Sequence, residues 1–170
     1  MATKTNLIIR QADPSDFEAV DRLFGRSYPV LLQGHYSPAT YISALPVISR
    51  AQPELLASGL FFVVEDENKD VVAAGGWSVE PPKGGQGMRG VGHVRHVATD
   101  HRRLRQGIGR ALIAHIKLHA KGSGMMKLQC FSTLNAEAFY TANGFTSLGE
   151  GEVQLSGGIS FPVIVMECLL

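Results

Sequence analysis

The chain has 170 residues, 45% of them hydrophobic and 18% charged, with a formal net charge of +1. That length suits one domain, residues 1–170, able to bury roughly 70% of its unfolded surface. A charge so near neutrality excludes general attraction to nucleic acid or to a membrane surface.

Residues 7–9, Leu-Ile-Ile, read as a short strand. Asp13 and Pro14 then open a helix as N-cap and first helical residue, with Phe17, Val20, Leu23 and Phe24 as its apolar stripe. Ser37 and Pro38 open a second helix carrying Tyr41, Ile42 and Leu45, and Pro46 is expected to end it. Residues 53–58 predict a further helical turn closed by Gly59. Residues 60–65 and 71–79 read as strands joined by a polar turn at 67–70, with Trp77 near the end of the second. The segment 81–90, PPKGGQGMRG, predicts a mobile hairpin loop. A fourth strand is expected over 91–99, a helix over 108–121 and a fifth strand over 126–131. A helix from Asn135 to the left-handed cap at Asn143-Gly144 follows, then an antiparallel pair, 146–153 and 161–169. No run reads as a signal peptide and none reaches transmembrane length, and Cys130 and Cys168 both sit in apolar runs. The expectation is a cytoplasmic protein with two buried, reduced thiols.

The stretch 97–110, VATDHRRLRQGIGR, is the informative one. A strand passes through a basic segment and delivers Gly107 and Gly109 into an amphipathic helix whose Ile108, Leu112, Ile116 and Ala120 face the sheet. The first N–H groups of a helix have no internal partner, and the helix dipole favours negative charge there. Arg102, Arg103, Arg105 and Arg110 add positive charge, so the segment is expected to hold a phosphorylated ligand. A P-loop pattern is absent, and the dinucleotide fingerprint fails because Leu112 stands where Gly or Ala is required.

The run Gly107-Ile108-Gly109-Arg110 resembles motif A of the GNAT superfamily, the acyl-CoA-dependent N-acetyltransferases. Leu104 departs from the pattern, which has Gln or Arg there, and Arg105 follows one place later. Residues 134–145, LNAEAFYTANGF, resemble the superfamily's motif B through Asn135, Phe139, Tyr140, Gly144 and Phe145. The resemblance covers roughly residues 91–146. It implies an α/β (α+β) fold: a mixed, mostly antiparallel sheet of about seven strands with helices on both faces, its fourth and fifth strands splayed apart. It implies acetyl-CoA or coenzyme A as cosubstrate, with the pantetheine arm pairing to Val97, Ala98 and Thr99. Arg105, Gln106, Gly107, Ile108, Gly109 and Arg110 would hold the pyrophosphate, and Asn135, Phe139 and Tyr140 would flank the arm.

Acetyl transfer to an amine needs a neutral amine, a donor for the carbonyl oxygen and a proton for the leaving thiolate. The resemblance places the thiolate's acid at Tyr140 and the oxygen's donor at a backbone N–H near Val97. For the base, the position fourteen before Gly107 is His93, where the histone-modifying branch has glutamate; His96 and Glu80 are the other candidates. Strand alternation puts His96 on the face opposite His93. Asn135 is read as a helix N-cap, a coenzyme A contact, or both. His115 and His119 have i, i+4 spacing but no third ligand in sequence, so no metal is expected. In the resembled fold residues 28–59 lie over the acceptor, a small-molecule or peptide amine; Tyr28, His35, Tyr36 and Tyr41 either line its pocket or pack the helices. Other readings are an acyl-CoA-binding module without turnover and a transferase of a longer acyl group. Pairing into a homodimer through the last two strands is a further expectation of the resemblance.

Overall fold

A computed structural model describes residues 6–170, so the first five residues of the expected domain lie outside the described part. Seven strands form one sheet in the order β1-β2-β3-β4-β5-β7-β6. They are β1 (Ile8–Gln11), β2 (Phe61–Glu65), β3 (Val71–Ser78), β4 (Val91–Thr99), β5 (Lys127–Ser132), β6 (Thr146–Leu155) and β7 (Ile159–Leu169). Only β4 and β5 run parallel; the other neighbours are antiparallel. The mixed, mostly antiparallel sheet expected from the sequence is therefore present.

Five helices cover its two faces. On one face lie α1 (Phe17–Leu32), α2 (Pro38–Ile48) and α3 (Pro53–Ala57), whose Val20, Leu23, Phe24 and Leu56 pack with Phe61, Val63 and Val163. On the other lie α4 (Ile108–Gly122) and α5 (Glu137–Ala142), whose Leu112, Ile113, Ile116 and Tyr140 pack with Phe62, Trp77 and Leu128. Leu112, Ile113 and Ile116 are completely buried, and each such side chain stabilises the fold by about 1.5–3 kcal/mol.

Asp13 caps the start of the first helical segment as expected, accepting from the Ser15 N–H, and Asp16 returns the bond to the Asp13 N–H. Pro46 does not end α2, which continues to Ile48. The proline sits in the last turn, where its missing N–H removes a single bond and Ser49 still donates to Leu45. At the other end of the sheet, α5 begins only after Ala136, so Asn135 is not its N-cap.

Two irregularities in β4 shape the molecule. It pairs with β5 over three positions only, Val91–Lys127, Gly92–Leu128 and His93–Gln129. Beyond His93 the two strands diverge, while β5 remains paired with β7 as far as Ser132. The second irregularity is a bulge: the β3 register shifts between Ala74 and Gly76, and His96 takes φ +46°. An extra residue at a bulge resets which side chains share a face.

Candidate active site

Helix α4 starts at the open end of the diverging strands. Gly107 immediately precedes it at φ +79°, a left-handed conformation that an L side chain resists. No side chain caps this end, so its first N–H groups face outward as a cradle for an anion. Gly109 serves a different purpose. A Cβ there would lie 3.1 Å from the Phe139 ring and 3.2 Å from the Thr99 hydroxyl, so this glycine lets α4, α5 and the end of β4 meet closely.

The arginines divide into two groups. Arg102 donates to both carboxylate oxygens of Asp100, and Arg103 donates to Asp66 and Gln106. Arg105, at φ +60°, and Arg110 are exposed and have no ion pair among the described residues. The charge free to meet a ligand is thus Arg105 and Arg110, not the whole basic run.

Asp100 anchors the turn between β4 and this cradle. Its carboxylate is buried, accepts from Arg26, Arg102 and the Arg102 N–H, and is held well below the usual carboxylate range chiefly by the Arg102 side chain. Because the folded-state pKa is depressed, its stabilisation is present above the unfolded value near 3.9 and is lost as pH falls below it. Asp100→Asn should cost about 1–3 kcal/mol in urea unfolding at pH 7, with the gap to wild type narrowing below about pH 4.

Cys130 is the first β5 residue past the last β4–β5 pair, His93–Gln129. Tyr140 from α5 and Cys130 from β5 are buried in one cluster, and Tyr28, buried on the opposite face, and Cys130 both act electrostatically on the Tyr140 phenol. Phe139 and Phe145 meet the Tyr140 ring edge-on at 5.2 and 5.3 Å. Burial raises Tyr140 well above the ordinary phenol value, and the Cys130 thiol adds to this. Burial likewise pushes Cys130 up to about 12. A thiolate formed in this gap would therefore be a strong base. Asn135 stands nearby in sequence with its Oδ1 buried and unpartnered, which suits a ligand contact rather than a cap.

On the α1 side of the gap is a cavity of about 280 Å3. Its walls include Tyr28, Ile48, Gln52, Arg95, His96 and Phe131. Arg95 and His96 both reach Gln52: the guanidinium is 3.5 Å from Gln52 Oε1, and His96 Nε2 is 2.8 Å from Gln52 Nε2. Arg95 also donates to Ser78, the residue paired with His93 across β3 and β4. His93, Arg95 and His96 therefore share a face, which corrects the alternation expected from sequence; the bulge at His96 is the cause.

The two histidines differ in character. His96 stacks on Phe24, its Nε2 is occupied by the Gln52 amide, and burial followed by the Arg95 charge lowers its pKa to about 4. It is neutral at physiological pH. His93 is buried, its Nε2 has no partner, and burial followed by Arg95 lowers its pKa too. Glu80 is exposed.

Of the remaining aromatics, Tyr28 lines the cavity. Tyr36 instead stacks on Phe161, donates to Pro162 and accepts from the Leu134 N–H, and Tyr41 donates to Pro29. His35 is exposed. Trp77 is core, donating to His119 Nδ1 at 3.1 Å, and His115 and His119 both pack against Phe62. Sequence reasoning missed Gln52, Arg95 and Cys130 as site residues. Arg95, lying between two candidate histidines on one strand, was the available signal; Gln52 had none.

Comparison with known proteins adds the family. Residues 57–147 match the model for the acetyltransferase (GNAT) domain. Among solved structures, the PaiA N-acetyltransferase of Thermoplasma acidophilum in complex with coenzyme A superposes with a TM-score of 0.70 at 15% identity, over 97% of this chain and 99% of its own. A GCN5-related N-acetyltransferase from Rhodopseudomonas palustris gives 0.76 at 16% identity, over 100% and 99%. The ribosomal-protein-S18-alanine N-acetyltransferase of Escherichia coli gives 0.63 at 19% identity, over 96% and 94%. At such identities the likeness shows the fold. No curated protein matches the sequence.

Proposed function

This chain belongs to the GNAT acetyltransferase domain family, and we propose that it moves an acetyl group from acetyl-CoA directly to an amine within a ternary complex. The observation that carries the reading is the divergence of β4 and β5 beyond His93, with Tyr140 buried in one cluster with Cys130, the first β5 residue past the last pair, and with the start of α4 uncapped by any side chain. The backbone of Val97, Ala98 and Thr99 lies on the diverging edge of β4 and is free of β5, which suits pairing with a pantetheine arm. The N–H groups of Ile108, Gly109 and Arg110, with Gly107 setting the turn and Arg105 and Gln106 beside it, suit a pyrophosphate. Phe139 and Asn135 complete the wall. The cosubstrate supplies an activated thioester carbonyl.

The chain's own residues then divide the proton work. The amine nitrogen attacks the carbonyl carbon as the carbon–sulfur bond breaks. Tyr140 gives its proton to the departing sulfur, which burial makes strongly basic. His93 takes the amine's proton through its unpartnered Nε2, directly or by one water. The N–H of Val97 stands near the carbonyl oxygen as charge gathers there. His96, with its lone pair committed to Gln52, holds the cavity wall in a neutral state.

Calorimetric titration with acetyl-CoA, coenzyme A and dephospho-CoA tests the cosubstrate. Micromolar binding of acetyl-CoA supports the reading, and weaker binding of dephospho-CoA would put the 3′-phosphate at Arg105 or Arg110. Absence of binding to all three would remove the enzyme reading altogether. The base is tested by pH–rate profiles. His93→Ala should lose the acidic limb, which in wild type lies below about pH 6.5 because the His93 pKa is lowered. His96→Ala should keep it, since a group titrating at about 4 is already neutral; loss of the limb in His96→Ala alone would reverse the assignment.

A further inference from the structure

The cavity wall carries one charge of a kind that implies a partner. Arg95 is about half-buried and lines the cavity, yet its only hydrogen bonds among the described residues go to neutral oxygens, Ser78 Oγ at 3.0 Å and Gln52 Oε1 at 3.5 Å. Glu80 is the carboxylate that influences it, but Glu80 is exposed and makes no ion pair with it. A guanidinium stays charged in any protein environment. Half-covered and facing a cavity without a counter-charge, it is pre-set for an anion, and its planar fork matches a carboxylate.

The other walls agree. No Asp or Glu lines the cavity, so a polyamine, an aminoglycoside or a lysine side chain would find nothing to offset its additional positive charge. Ile48, Phe131 and Val163 supply apolar surface beside the polar Gln52, Thr133 and Gln154. At the rim Lys83 Nζ stands 5.4 Å above the Phe131 ring and adds positive potential. A cavity of about 280 Å3 is at the small end of ligand pockets. One fixed cation asks for one negative charge.

Resting on the transferase reading above, we propose that the acceptor is a small amine bearing a carboxylate and an apolar body, a free hydrophobic amino acid or a close analogue, with Arg95 binding its carboxylate. Arg95 thereby sets specificity. It fixes the acceptor at one end so that the amine is presented toward the gap between β4 and β5.

The test pairs each acid with the same molecule lacking its carboxylate: L-leucine with 3-methylbutylamine and with leucinamide, and L-phenylalanine with 2-phenylethylamine. Thiol release from acetyl-CoA is followed, and kcat/KM is compared within each pair. Wild type should favour the carboxylate by about 10- to 100-fold. Arg95→Met should abolish that preference, and Arg95→Lys should retain part of it. Equal or better turnover of the decarboxylated amines or of leucinamide by wild type overturns the proposal without any variant, as does a preference that survives Arg95→Met. A preference for the 1-aminoalkylphosphonate analogue over leucine also overturns it. Release with the plain amines alone leaves the transferase reading standing and removes only this inference. Release with none of these acceptors also overturns this inference, while the acetyl-CoA titration decides the transferase reading separately.

Discussion

Tyr140→Phe is expected to lower kcat by about 10²- to 10⁴-fold, the usual range for loss of a positioned acid, while acetyl-CoA affinity stays within about threefold. The phenyl ring is retained, and with it the edge-on contacts to Phe139 and Phe145, so the wall of the gap is unchanged. What disappears is the proton proposed to reach the departing sulfur. Cys130 reports what this environment does to sulfur: burial pushes its thiol up to about 12. A coenzyme A thiolate leaving into a buried site is likewise harder to expel without a proton. The raised pKa of Tyr140 means that it enters every cycle protonated. Calorimetry and steady-state kinetics on the same preparation separate the two effects. Unchanged turnover would remove Tyr140 from the chemistry, and a loss confined to affinity would make it a wall residue only.

The second large effect is expected at Gly109. Even a Cβ there would lie 3.1 Å from Phe139 and 3.2 Å from the Thr99 hydroxyl, so Gly109→Leu must push α5 away or turn the start of α4. Either movement disturbs the N–H groups proposed to hold the pyrophosphate. Each hydrogen bond to a charged group contributes about 1.5–3 kcal/mol, so losing one or two should weaken acetyl-CoA binding by about 100-fold. Thermal unfolding should show a folded protein with a lowered midpoint. Binding within threefold of wild type would mean that the cosubstrate is held elsewhere.

Much of this architecture is legible residue by residue. The alternation and spacing of apolar residues mark the strands and α4 closely, because burial of one face leaves a period in the chain. Gly107 and Gly109 announce a turn into a helix, and Phe139-Tyr140 with Gly144-Phe145 announce α5. The errors lie where local preference was outweighed by packing. Pro46 lost its expected role as terminator because it falls in a last turn. Asn135, chemically fit to cap, was displaced when α5 began at Glu137, and its amide oxygen was left free.

The sequence alone determined the order of elements, the glycine turn into α4, the family resemblance and the candidate proton donor. These depend on periodicity and on residues close together in the chain. The tertiary structure decided the rest. It divided four similar arginines into Arg102 and Arg103, tied to Asp100 and Asp66, and Arg105 and Arg110, left free. It put His93 and His96 on one face through a bulge, paired His96 with Gln52 while leaving His93 Nε2 without a partner, and brought Gln52 from the start of α3 to the middle of β4. It also placed Arg95 in a cavity without a counter-charge. Charge state and partnership depend on which distant side chains share a low-dielectric space, and no local pattern in a chain encodes that.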